Sequence, residues 1–162
     1  MIGRAEVLSA ADATVLLPRV VEKDHLLGWL LWGISGHPEL AGWIFKGGTC
    51  LKKCYFETYR FSEDLDFTLG EEAQLDEAFL RRCFGEVAGR LYEEAGVDLP
   101  AGRMRFEVHP NPRGNPSCEG RLYYRSLFHQ SGQEGNLPMV RLDLTADEVV
   151  VLPPVRADTA RT

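Results

Sequence analysis

The chain has 162 residues, 44% of them hydrophobic, which is enough to bury one core and form a single domain. Its net charge of -6 excludes a broad nucleic-acid-binding surface, which needs clustered Lys and Arg, but leaves room for a local basic site. The longest candidate for a membrane span, His25 to Ile34, falls short of roughly 18 apolar residues and contains two glycines, and Met1 to Ala11 lacks the basic and apolar regions of a signal peptide. A cytoplasmic location without a membrane partner is therefore expected.

Apolar residues recur at helical spacing from Pro18 to Ile34, with Pro18 suited to the first turn. Gly36, His37 and Pro38 break that pattern, and Trp43-Ile44-Phe45 reads as a short buried strand. Lys46-Gly47-Gly48-Thr49 follows directly, then a helical stretch from Thr49 to Phe56 and a loop from Glu57 to Ser62. In Asp64-Leu65-Asp66-Phe67-Thr68-Leu69, acidic or polar residues alternate with apolar ones, predicting a strand with one apolar and one carboxylate face.

A second amphipathic helix is expected from Leu75 to Ala95, closed by Gly96. Met104 to His109 and Leu122 to Phe128 read as strands separated by a loop rich in Pro, Gly and Asn, and Gln130 to Pro138 reads as a second loop. Val140 to Leu144 predicts a last strand, with Arg141 and Asp143 on its polar face. The core is expected to span residues 1–152, with 153–162 as a tail.

Cys50, Cys54, Cys83 and Cys118 have no CxxC spacing and read as thiols rather than zinc ligands or disulfides. Likewise, His25, His37, His109 and His129 show no metal-site or triad spacing.

Asp64 and Asp66 stand two apart on a predicted strand, so their carboxylates project from one face and can share a hard divalent cation. Asp143 is the best candidate for a third ligand because its strand repeats the same pattern; Glu107 and Asp147 come next. In a two-metal site of this kind, one ion activates a hydroxyl and the other steadies a triphosphate and its leaving pyrophosphate. An isolated Asp-x-Asp more often just faces solvent, and the upstream segment is what alters that balance. Gly47 and Gly48 lie where a strand turns into a helix, so backbone can approach a ligand near unpaired N–H groups, forming a phosphate cradle.

Around that cradle, Lys46 either neutralises phosphate or reaches solvent, and the Thr49 hydroxyl caps the helix, donates to phosphate, or does both. Arg60 and Ser62 precede the acidic pair, where Arg60 either binds triphosphate or holds Asp64 in place. Lys52 and Lys53 fit a solvated helix face. Arg105, Glu107, Arg125 and Arg141 either share the carboxylate face or are merely exposed cross-strand charges.

Phe45-Lys46-Gly47-Gly48-Thr49-Cys50-Leu51, Lys53-Cys54-Tyr55, and Arg60-Phe61-Ser62-Glu63-Asp64-Leu65-Asp66-Phe67-Thr68 together resemble the AbiEii/AbiGii toxin family of nucleotidyltransferases, which includes the MenT toxins. The resemblance is densest over residues 43–69 and extends to Arg141-Leu142-Asp143. It implies a DNA polymerase β-like nucleotidyltransferase fold, α/β, with a mixed β-sheet flanked by helices. It also implies the toxin half of a toxin–antitoxin or phage-defence system, with a cognate antitoxin. Some relatives transfer nucleotides to tRNA acceptor ends.

The expected reaction is therefore NMP transfer from an NTP to an RNA 3′ hydroxyl, tRNA in particular, with Mg2+, or Mn2+ in its place, held by Asp64, Asp66 and Asp143. Lys46, Gly47, Gly48, Thr49, Arg60 and Ser62 would bind the nucleotide. Transfer to a protein hydroxyl, or nucleotide binding without turnover in a regulatory module, would suit the same residues. Family members usually continue into a largely helical C-terminal part supplying further Lys and Asp residues, and the chain is expected to lead toward such a region.

Overall fold

The computed structural model describes residues 3–14, 17–50, 64–128, 134–148 and 154–155. Helix α1 is Arg4–Thr14 and α2 is Pro18–Ser35; strand β1 is Ile44–Lys46, and α3 is Gly47–Cys50. Then come β2 (Asp64–Thr68), α4 (Glu77–Ala95), β3 (Arg105–Pro110), β4 (Pro116–Tyr123) and β5 (Met139–Thr145). The five strands form one mixed sheet in the order β1-β2-β5-β4-β3. Among the described residues, only the β2–β5 pair is parallel. The α/β expectation is met.

The period-two pattern of each strand divides the sheet into two unlike faces. Leu65 and Phe67 of β2, Val140, Leu142 and Leu144 of β5, Leu122 of β4 and Phe106 of β3 are buried against α2 and α4. Phe84 of α4 stacks near Phe106 at 5.5 Å and Trp43 at 6.0 Å between ring centroids, so the helix is pinned across the sheet by aromatic contacts. Gly33 lets α2 lie against α4, because a Cβ there would come within 2.8 Å of Val87 Cγ1.

Local signals define the ends of these helices. Pro18 occupies the first turn of α2, where its missing N–H leaves no bond unmade. Asp76 caps α4 by accepting a 2.9 Å hydrogen bond from the Phe79 N–H. Gly96 ends α4 in the left-handed conformation, as its position in the sequence predicted, and its N–H reaches Tyr92 O at 3.0 Å. The predicted start at Leu75 shifts to Glu77 because Leu75 closes a separate 3-10 turn, Glu72–Gln74.

Three further expectations need correction. The strand predicted at Trp43–Phe45 is displaced by one residue to Ile44–Lys46, leaving Trp43 to donate its indole N–H to Gln74 Oε1 at 2.8 Å. The helix predicted from Thr49 begins two residues earlier, at Gly47. Its continuation beyond Cys50 and the Glu57–Ser62 loop lie outside the described residues.

The largest revision concerns β4, predicted at Leu122–Phe128 but found at Pro116–Tyr123. A tight turn drives that change. Asn111 Oδ1 accepts from the N–H groups of Arg113 and Asn115, folding the Pro- and Asn-rich stretch into a hairpin that pairs Pro110 with Pro116. Pro116 is tolerated at the first position of its strand. Glu22, buried on α2, accepts from Ser126 Oγ and Leu127 N, each at 2.6 Å, and so fixes the segment after β4 outside the sheet. Helix α1 had no prediction; among its described side chains only Val7 and Ala11 are buried, too few to make an apolar stripe.

Among the described residues, no helix is long and apolar enough to cross a membrane. Cys50, Cys83 and Cys118 are buried thiols. Cys54 lies outside the described residues.

Candidate active site

Strand register brings the carboxylates together. Asp66 is flanked by Lys46 on β1 and by Asp143 on β5, and Asp143 in turn faces Glu119 on β4, which faces Glu107 on β3. The adjoining row runs Asp64, Arg141, Arg121, Arg105. These rows share the sheet face opposite the core, because residues paired directly across strands point the same way. Two charged stripes thus lie side by side, one mainly acidic and one mainly basic.

Asp66 is half-buried between its neighbours. Burial, followed by the nearby Asp143 carboxylate and then Asp64, pushes its carboxyl up to about 6 from the ordinary 3.8, although the Lys46 ammonium pulls the other way. Asp64 is held by Arg141, whose Nη2 donates to Asp64 Oδ2 at 3.1 Å, while Arg141 Nε lies 3.6 Å from Asp143 Oδ2. A single guanidinium therefore spans the outer two carboxylates.

Lys46 is bound within the chain. Its Nζ donates to Thr145 Oγ1 at 3.0 Å and lies 2.6 Å from Glu148 Oε1. Thr68 Oγ1 donates to Glu148 Oε2 at 3.1 Å, and the Lys46 contact holds the Glu148 carboxyl below its usual range. Gly47 has φ +82°, and a Cβ on it would collide with the Asp66 carboxylate. Close approach of the turn to the acidic pair is thus possible only for glycine here.

Gly48 contributes backbone to the first turn of α3. Thr49, expected to cap the helix, donate to phosphate or do both, is instead the third residue of α3; it is fully buried and its hydroxyl donates to the Asp64 carbonyl at 2.5 Å. That bond ties α3 to the strand bearing the carboxylates. Arg60 and Ser62, with Lys52 and Lys53, lie outside the described residues.

Arg105, Glu107 and Arg141 share the carboxylate face, whereas Arg125 follows β4 and pairs with Asp98 at 2.7 Å. Asp147, the other alternative for a third carboxylate, is engaged elsewhere. It accepts from Asn111 and Asn115 side chains at 2.8 and 3.1 Å and meets Arg113 Nη2 at 3.1 Å, contacts that hold its carboxyl below the usual range. His37 is buried with Nε2 2.6 Å from Glu86 Oε2, and His109 lies at the β3 edge.

Sequence reading missed Glu119, Arg121 and Glu148. The first two fell within a stretch expected to be a loop, and Glu148 followed the last predicted strand, so periodicity carried no signal for them. Cross-strand pairing is what puts Glu119 beside Asp143.

Among the described residues, no three His, Cys, Asp or Glu side chains are gathered as a group that could hold a metal ion. Asp64 is turned toward Arg141 instead. The donor chemistry nevertheless fits a hard divalent cation, since Asp64, Asp66 and Asp143 offer only carboxylate oxygens from adjacent strands. The raised Asp66 carboxyl is a further sign of fit, because a cation would relieve its crowding with Asp143.

No curated protein matches the chain. A family model, the nucleotidyl transferase AbiEii toxin of type IV toxin–antitoxin systems, matches residues 29–161. That span takes in the C-terminal part of α2, the glycine turn, both carboxylate strands and the rest of the sheet, and the chain accordingly belongs to the AbiEii family of nucleotidyl transferase toxins.

Proposed function

We propose that this nucleotidyl transferase moves NMP from an NTP to an RNA 3′ hydroxyl, with a tRNA acceptor end as the favoured substrate and a cognate antitoxin as its partner in the cell. The observation that carries the reading is the register of β2 and β5, which aligns Asp66 with Asp143 while Asp64 stands two residues along the same face. Mg2+, or Mn2+ in its place, held by Asp64, Asp66 and Asp143, would supply the positive charge that activates the hydroxyl and stabilises departing pyrophosphate.

The acceptor 3′ oxygen forms a bond to the α-phosphorus as the bond from that phosphorus to the bridging β-oxygen breaks. Pyrophosphate leaves with the electron pair, and the hydroxyl proton passes toward the Asp66–Asp143 carboxylates. Lys46, beside Asp66 in register, is suited to the triphosphate once Glu148 releases it. Gly47 keeps the turn close to Asp66 without blocking the face.

Labelled NTPs incubated with the protein, Mg2+ and total RNA, alongside a protein extract, test the reading. Label should enter RNA with wild type and be lost with Asp64→Ala or Asp66→Ala, both of which remain folded because neither side chain belongs to the core. Near-normal transfer by either variant would sink the carboxylate assignment, and label entering protein alone would replace the acceptor.

A further inference from the structure

We propose that a cavity at the β3 end of the sheet holds the phosphate–sugar backbone of the acceptor strand, an inference that rests on the proposed transfer to RNA. The cavity measures about 400 Å³ and is lined by Arg81, Arg103, Arg105 and Tyr123, with Gly102 and Gly135 leaving its wall open. It lies at the opposite edge of the sheet from Lys46 and Gly47, where the triphosphate is expected. Donor and acceptor would approach the carboxylates from opposite edges.

The charge distribution supports a polyanion at this edge. Within the basic row, Arg141 is paired with Asp64 and Arg121 with Glu119 at 2.9 Å, so neither adds much net positive charge. Arg105 forms no ion pair with the described residues, and Arg81 is accompanied by Glu77 at 2.9 Å through Nε. Guanidinium groups match phosphate oxygens with forked, charge-assisted hydrogen bonds. Tyr123, half-buried beside them, offers a ring on which a base or sugar can stack. Phosphate donors combined with an aromatic platform favour a single-stranded nucleic acid over an acidic peptide.

The placement also suits the reaction. Arg105 is three strand steps from β2, about 14 Å at the usual spacing between strands, and Arg121 and Arg141 mark the row between them. A strand seated in the cavity can therefore lay its 3′ end along the polar face toward Asp143 and Asp66 within a few nucleotides.

A fluorescein-labelled single-stranded RNA of mixed sequence, titrated with the full chain by anisotropy at several salt concentrations, provides the test. Arg103→Ala/Arg105→Ala should weaken binding roughly tenfold or more at low salt and lower the salt slope by about 0.7 for each phosphate that is no longer neutralised. Arg105→Lys, which keeps the charge, should retain most of the affinity, and Tyr123→Leu should weaken RNA binding without changing the salt slope. Equal affinity and slope for wild type and the double variant, absence of RNA binding by wild type, or equally effective competition by polyglutamate would overturn the cavity assignment. The reaction is scored separately by labelled transfer. Transfer into RNA that is indifferent to the arginines sinks the cavity and leaves the reaction standing, whereas arginine-dependent binding without transfer by wild type does the reverse.

Discussion

Gly47 and Asp66 are placed so closely that the glycine tolerates no side chain: its backbone is left-handed at φ +82°, and a Cβ there would run into Asp66 Oδ2. Gly47→Ala is expected to destabilise the fold by about 1–2 kcal/mol from backbone strain and to displace the Asp66 carboxylate. NMP transfer should fall by more than the loss of folded protein accounts for. Thermal melts combined with labelled-NTP transfer check both effects, and wild-type transfer by Gly47→Ala would show that the close approach is dispensable.

Asp66→Asn should abolish transfer while stabilising the metal-free protein at neutral pH. The folded chain holds the Asp66 proton up to about pH 6, against 3.8 ordinarily, so folding meets no penalty below 3.8 and loses stability as pH rises through about 6. Because the group is partly exposed, the gain from Asp66→Asn at pH 7.5 is set at about 1 kcal/mol, well under the full shift. Melting curves with chelator at pH 3.5, 5 and 7.5 should show the two proteins converging at low pH. A constant difference across that range would remove the crowded-carboxylate explanation.

Glu148→Gln should tighten NTP binding a few-fold, because it releases Lys46 from an ion pair of 2.6 Å. The same pair makes Glu148 a stabilising carboxylate above pH 4.5, a contribution that disappears as pH falls through its depressed folded value. Calorimetric titration of each of the four NTPs into wild type and variant checks the first effect. Weaker binding by Glu148→Gln would mean that Glu148 positions Lys46 rather than restrains it.

Asp143→Asn should slow transfer roughly 100-fold or more while leaving NTP affinity nearly intact, since Asp143 lies on the side of Asp66 away from Lys46 and Gly47. Single-turnover kinetics at saturating NTP separate the two quantities. Equal single-turnover rates would move the third carboxylate to Glu119, its partner on β4, or to Glu107 beyond it.

The helix from Pro18, the two carboxylate strands and the Gly96 stop were legible in the sequence because each depends on residues close together in the chain. Alternation alone puts Asp64 and Asp66 on one face and Leu65 and Phe67 on the other, and a capping glycine acts within its own turn. Residue types at short spacing also carried the family resemblance. Tertiary structure decided the rest. β4 begins at Pro116 because Asn111 folds the preceding turn, and its pairing with β5 brings Glu119 to Asp143, a contact between residues 24 positions apart. Arg141 clamping Asp64, Glu148 holding Lys46 and Thr49 bonding to the Asp64 carbonyl likewise join distant segments through strand order and register. Local periodicity determines which way a side chain points; only the packed sheet determines what it meets there.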